Sequence, residues 1–329
     1  MKELLTYSSL KTFRACKRKY LFQYEQGYRP ARESEALFIG SLIHDAVATW
    51  LEGERNLGGA LSCIQGKFDL SMNPDAYLRE KCKALMVGYH NRYANEPYSV
   101  QAVEREFRHP LWNPTTMRES NLFELGGKLD AIYGLEERFI LKEMKTTSDD
   151  ISPESSYWDK LTLDPQVSGY YIGAESLGFK IESCIYDVIR KPTIKPYRAT
   201  PIEDRKFKKD GTLYANQRIQ DETVQEFADR LAADIAAQPD KYFARKEVPR
   251  LAEDLADYLS DVWEEAQVLH SRRKVGRYPR NPDACESNYG MCSFFEVCAK
   301  RASIEDKNLF KKVDKKHTEL SQEAQGGTQ

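Results

Sequence analysis

The sequence predicts a mixed α/β domain, and three observations carry that reading. Apolar residues recur at helical spacing through residues 8–94. Three consecutive segments, 98–107, 122–133 and 138–145, then switch to the period-two alternation of strands. A helical stretch at 164–177 is followed by one more strand-like run, 181–189. Doubly wound sheets alternate strand and helix throughout. Helices, three adjacent strands, a helix and a strand point instead to a mixed central sheet flanked by helices.

Each element has a local reason. Ser8 or Ser9 is a good helix cap, and Leu10, Phe13, Cys16 and Tyr20 then share a helical face up to Gly27, a natural stop. A second helix spans 34–51 and carries Gly40 and His44; two more cover 57–68 and 74–94. Gly134, Leu135, Glu136 and Glu137 turn the second strand into the third, and Gly178 closes the helix of 164–177. Residues 1–200 thus form the core. Helical periodicity returns at 221–238 and 251–273, with a charged turn at 206–211, so 201–278 reads as a helical insertion. A cysteine-bearing segment, 279–305, follows. The last stretch, 306–329, runs through Lys311, Lys312, Lys315 and Lys316 into SQEAQGGTQ and reads as a charged, disordered tail.

Composition narrows the function. Of 329 residues, 49 are Lys or Arg and 51 Asp or Glu, a net charge of −2. That balance excludes a uniformly basic, histone-like protein and leaves room for a local basic groove. No apolar run approaches the ~20 residues that span a bilayer, and the N-terminal segment lacks an apolar core of signal-peptide length. A soluble, cytoplasmic protein is expected. The seven cysteines are odd in number, which argues against a disulfide framework. Cys63, Cys82 and Cys184 stand alone in amphipathic or strand-like segments and read as buried small hydrophobes. Cys285, Cys292 and Cys298 cluster in a loop-rich stretch that asks for a metal.

Glu143, Met144 and Lys145 end a predicted strand, so Glu143 and Lys145 share one face while Met144 points into the core. Counting outward from Glu136 in the turn, Asp130 is six residues back and Glu143 seven forward, close neighbours in an antiparallel hairpin. Two adjacent carboxylates suit a hard divalent cation, and a nearby Lys can stabilise charge developing on a phosphate. Together these are the parts of phosphodiester hydrolysis. An acid two residues before Lys also occurs at Asp204/Lys206, Glu305/Lys307 and Asp314/Lys316, where a solvated face explains it. The motif therefore takes its meaning from context.

That context exists. Gly126-Gly127-Lys128-Leu129-Asp130 followed by Glu143-Met144-Lys145 resembles the split catalytic motif of the PD-(D/E)XK nuclease superfamily. Gly40 to His44 is similar to the Gly-x-x-x-His helix of its RecB-like branch, and Gln166 to Tyr170 to that branch's Gln-x-x-x-Tyr helix. The resemblance covers 5–195 and 280–300 and leaves 201–278 unaccounted for. It implies a restriction-endonuclease-like core with Asp130, Glu143 and Lys145 as catalytic residues. His44, Asp130 and Glu143 would bind Mg²⁺ or Mn²⁺, and Gln166 and Tyr170, on one helix face, would bind substrate. His90, His109, His270 and His317 have no such context.

One RecB-like subgroup carries a cysteine in the first helix and three near the C-terminus that together bind a 4Fe–4S cluster. Cys16, Cys285, Cys292 and Cys298 match that set. The six residues between Cys285 and Cys292 exceed the subgroup's usual two, which keeps Zn²⁺ as an alternative. Arg14, Lys17, Arg18 and Lys19, interleaved with Phe13 and Tyr20, read either as a solvated helix face or as a phosphate-tracking surface whose aromatics stack on bases. The resemblance implies a metal-dependent exonuclease acting on single-stranded or end-containing duplex DNA, in bacterial or phage recombination, repair or processing. No Walker A motif occurs, so any helicase is a separate partner. A structure-specific endonuclease on the same core and a non-catalytic DNA-binding subunit are the alternatives.

Overall fold

The computed structural model describes residues 2–32, 34–70, 75–287, 290–318 and 320. Strand β1 (Glu3–Leu5) leads into α1 (Tyr7–Ala15), α2 (Lys17–Tyr20) and a π-helical turn, Leu21–Glu25, before β2 (Tyr28–Pro30). Helices α3 (Glu35–Glu52), α4 (Leu57–Asp69) and α5 (Ala76–Tyr93) follow, capped by the side chains of Ser34, Asn56 and Asp75. Three long strands come next: β3 (Ser99–Trp112), β4 (Glu119–Leu135) and β5 (Arg138–Thr147). Helix α6 (Pro165–Ser176) has Asp164 as its cap and Pro165 at its first position, where no backbone N–H is needed. Then come β6 (Ile181–Arg190), α7 (Val224–Ala237), α8 (Pro239–Tyr242), β7 (Phe243–Glu247) and α9 (Ala252–Val275). A short hairpin, β8 (Glu286–Ser287) and β9 (Gly290–Met291), α10 (Phe295–Cys298) and β10 (Phe310–Lys312) complete the order.

Strand β4 is the spine of the mixed sheet. Along one edge it pairs antiparallel with β3. Its other edge is shared: β1 runs parallel to residues 123–125 and β5 antiparallel to residues 131–135. Residues 126–130 fall outside both ladders, and the sheet forks there. Beyond β5 the sheet continues through β6, parallel, and β7, antiparallel. Alternation sends Tyr133, Ile140 and Met144 into a core with Trp50, Tyr89, Phe227 and Phe243, and Leu129, Leu141 and Val188 into a second core with Val167 and Tyr171 of α6. Helices α3, α5 and α7 thus cover one face and α6 the other, with α9 packed on α6.

The structure corrects several expectations. The first cap is Thr6: its Oγ1 accepts from Ser9 N at 3.2 Å while the Ser9 hydroxyl answers the Thr6 backbone, a reciprocal box that starts the helix a turn early. The run to Gly27 is also broken at Cys16, whose backbone is extended. Residues 201–278 carry the expected helices, α7 and α9, but do not stand apart from the core. They supply edge strand β7, and Phe227, Leu231 and Phe243 lie in the main core. Nor is 306–329 a disordered tail throughout, because β10 pairs with β2 and Phe310 stacks on Phe294 at 5.1 Å. SQEAQGGTQ lies outside the described residues.

Behind β5 the first core holds a buried ion network. Asp187 Oδ2 lies 3.1 Å from Lys142 Nζ and accepts from Arg245 Nη2 at 2.9 Å and Tyr89 Oη at 2.6 Å. Arg245 also pairs with Glu96 and stacks 3.6 Å above the Tyr93 ring. Burial opposes the Asp187 charge, but Arg245 and Lys142 outweigh it and hold the carboxyl at about 2. Lys142 immediately precedes Glu143 and faces the other way, so this network braces the strand that carries the candidate site.

Candidate active site

The hairpin register places the carboxylates as counted from the sequence. Ala131 pairs with Lys142, which makes Asp130 and Glu143 the next step of the β4–β5 ladder. The ladder ends there because Asp130 Oδ2 takes the Met144 N–H itself, at 2.7 Å. Met144 is 2% exposed, in the core, and Glu143 and Lys145 project to the opposite face. Lys145 forms an ion pair with Glu143 Oε1 and donates to Gln166 Oε1 at 2.8 Å. Gln166 Nε2 in turn donates to Tyr170 Oη at 2.9 Å. The i,i+4 pair on α6 thus reaches the site as a chain, Tyr170 to Gln166 to Lys145 to Glu143.

His44 arrives from α3. Its Nδ1 stands 3.8 Å from Asp130 Oδ1, and Gly40, one turn earlier, lets α3 approach β5: a Cβ there would lie 3.1 Å from Thr146 Oγ1. Gly127 serves α6 in the same way. A Cβ on it would meet the Phe107 ring at 2.9 Å and Tyr170 at 3.5 Å. The two helices therefore close on the sheet fork from opposite sides.

Electrostatics set the protonation pattern. Glu143 is 0% exposed, and burial, then Asp130, raise its carboxyl to about 8, with Lys145 opposing. Burial works against the Lys145 charge, but Glu143 and Asp130 prevail and its pKa rises. Desolvation lowers the His44 pKa against the pull of Asp130, favouring the neutral imidazole that ligates metals. Glu143 Oε2 is buried with no hydrogen-bond partner among the described residues, an orphaned oxygen. Among the described residues, no three His, Cys, Asp or Glu side chains converge closely enough to share one ion. At the site, Lys145 occupies one Glu143 oxygen and the Met144 N–H one Asp130 oxygen.

One residue of the site is missing from the sequence reading. Glu104 on β3 sits between Val103, paired with Ala131, and Arg105, paired with Leu129, so it faces Asp130 across the ladder. Its φ is +50°, a left-handed conformation costly for a residue with a Cβ, and such strain gathers at functional sites. Lys128 pairs with it, and burial raises its pKa. Period-two alternation in AVEREF points toward it. The register shift between Val100 and Ala102 hides which partner it faces.

A second constellation lies where the chain ends meet. Cys16, Cys285, Cys292 and Cys298 line one cavity of about 520 Å³ together with Arg18 and Lys19. Burial, then the neighbouring Cys292 and Cys16 sulfurs, raise the Cys285 thiol. Three hydrogen bonds bring the segments together without any metal: Arg18 N to Pro279 O at 3.1 Å, Arg18 Nε to Tyr278 O at 2.9 Å, and Asn281 Nδ2 to Ala15 O at 2.8 Å. Phe13 and Tyr20 are each 2% exposed, so they are core residues and cannot stack on bases.

Among the described residues no helix is long and apolar enough to cross a membrane. No curated protein matches the chain. Among solved structures, the crystal structure of SSO0001 is similar at 14% identity, covering 70% of this chain and 84% of that one, with a TM-score of 0.23. The family model of the PD-(D/E)XK nuclease superfamily matches residues 4–299, which include the fork, both candidate constellations and the stretch 201–278. With nearly its whole length accounted for in this way, the chain belongs to the PD-(D/E)XK nuclease superfamily.

Proposed function

We propose that the chain is a metal-dependent DNA exonuclease of the RecB-like branch, working in the cytoplasm on DNA undergoing recombination, repair or processing. The observation that carries this reading is Glu143, a fully buried carboxyl with an unpartnered oxygen beside a second carboxylate. Such an arrangement is stabilised by a cation. Asp130, Glu143 and His44 would hold Mg²⁺ or Mn²⁺, with Glu104 across the ladder. Bound there, the ion neutralises phosphate charge and lowers the pKa of a water nucleophile. The protein's own part is positioning. Glu143 and Gln166 hold the Lys145 ammonium where charge develops on the phosphate, and Tyr170 fixes the Gln166 amide. End dependence rests on the Gln166/Tyr170 helix, the mark of the RecB-like branch. With Mg²⁺ or Mn²⁺, end-labelled linear DNA should be degraded while covalently closed circles survive. Equal cutting of both would replace the exonuclease by an endonuclease, and cutting of neither would leave a DNA-binding subunit.

The four cysteines are read as ligands of a 4Fe–4S cluster. They line one cavity, and four thiolates are the ligand set expected of such a cluster, as the resemblance implies. Anaerobically purified protein should be brown and hold roughly four irons per chain. Cys16→Ser should remove the colour as fully as Cys292→Ser. A colourless protein with one zinc would discard the iron and keep the four-cysteine site.

A further inference from the structure

Helices α1 and α2 carry more positive charge than their neighbours use. Arg14 is paired with Glu265, the Arg18 guanidinium with the Tyr278 carbonyl, and Lys17 lies 5.0 Å over the Phe13 ring. Lys11 and Lys19 form no ion pair among the described residues. Lys11 is exposed, and its ammonium stands 5.5 Å above the ring of Tyr7, four residues earlier on the same face. Helix α1 packs on α6, the helix that brings Gln166 to Lys145. The Lys145 charge acts on both Tyr7 and Lys11, and that of Lys19 on Lys11 as well. Asp164 is the one carboxylate acting on Lys11, against the three cations Lys145, Arg14 and Lys19; its oxygens also accept from Gln166 N at 2.9 Å and Tyr186 Oη at 3.3 Å. At the far end of this row, Lys19 and Arg18 line the cysteine cavity.

Cations that outnumber the anions beside them are a site for one from outside. We propose that α1 and α2 form a phosphate-binding track for the substrate strand, running from Lys145 past Lys11 to Lys19 at the rim of the cysteine cavity. Lys11 holds a phosphate beside the scissile one. Cation and track are fixed to the catalytic helix by α1–α6 packing, so the strand would be held in register with Lys145 rather than merely attracted. The proposal rests on the nuclease reading above and adds the path that the strand takes.

The test is binding of a fluorescein-labelled single-stranded oligonucleotide to the full chain in EDTA, by anisotropy across a series of salt concentrations. Removing one lysine–phosphate pairing should lower the log–log salt slope by about 0.7. Lys11→Gln should show that fall, Lys11→Gln with Lys19→Gln about twice it, and Lys11→Arg none. Lys180, exposed and at the opposite end of β6 from the site, is the control; Lys180→Gln should leave the slope unchanged. An unchanged slope in Lys11→Gln, or an equal fall in Lys180→Gln, would overturn the track. If wild-type protein still cleaves DNA in that case, the nuclease reading stands alone; a wild type that neither binds nor cleaves removes both.

Discussion

Glu143→Gln should abolish cleavage and leave the fold intact. The amide copies the shape of the neutral acid, which the raised carboxyl of Glu143 already favours, so burial at 0% exposure is undisturbed. What disappears is the anionic form that a divalent cation needs. The expected fall in single-turnover rate is at least about 10³-fold, or about 4 kcal/mol of barrier. Asp130→Asn should fall as far, whereas Lys145→Ala should bind metal nearly normally and lose rate. The pH dependence has a fixed sign. A carboxyl whose folded pKa is raised binds its proton in the native state while the unfolded chain has released it. Metal-free stability therefore falls as pH rises from the ordinary carboxylate range to about 8, then levels. Metal affinity runs the other way, rising about tenfold per pH unit until that point, because binding expels the same proton. Calorimetric metal titration in buffers of different ionisation enthalpy would count it. A Glu143→Gln protein that cleaves at wild-type rate would end the assignment.

Asp187→Ala should be the most damaging change away from the site. It strips the shared acceptor from Lys142, Arg245 and Tyr89, leaving Lys142, 1% exposed at its side chain, with no carboxylate of its own. Removing one member of a buried ionic group typically costs about 3–5 kcal/mol, because the charge left behind is neither hydrated nor paired. A urea unfolding midpoint reads the loss directly. The depressed Asp187 carboxyl adds an acid limit. Its stabilisation is complete above the ordinary Asp range and disappears as pH falls toward about 2. A loss below about 1 kcal/mol would mean that Lys142 finds water.

The hairpin that carries Asp130 and Glu143 is legible in the sequence because two local signals coincide: period-two alternation and a turn centred at Glu136. From a turn the register follows by counting, and the Ala131–Lys142 pair is where the count puts it. The α6 pair is legible for the same reason, since four residues make one helical turn. What stays hidden is non-local. Strands β1, β7 and β10 have three to five residues each, and β7 reads FARKE, three of its five residues charged. Their conformation comes from distant partners, 123–125, β6 and β2, and nothing within the segment announces it. Glu104 is hidden by one register shift. Thr6 is hidden by two good capping residues just after it, Ser8 and Ser9, of which Ser9 turns out to be the other half of the box.

The pairing of the chain's beginning with its far end has a consequence during synthesis. Strand β1 must wait for residues 123–125, β2 for residues 310–312, and Cys16 for Cys285 and beyond. At roughly 5–20 residues per second, the first cysteine leaves the ribosome roughly 15 to 50 s before its partners are made. Until α9 is made, Leu5, Phe13 and Tyr20 have only part of the core that buries them in the finished protein, the part from Leu111, Phe123, Leu125 and Ile172. The β3–β5 meander, whose contacts are sequential, can assemble meanwhile. The catalytic hairpin is thus ready early, and a chain stopped before residue 243 would carry the carboxylates without edge strand β7, α9 or the cysteine segment.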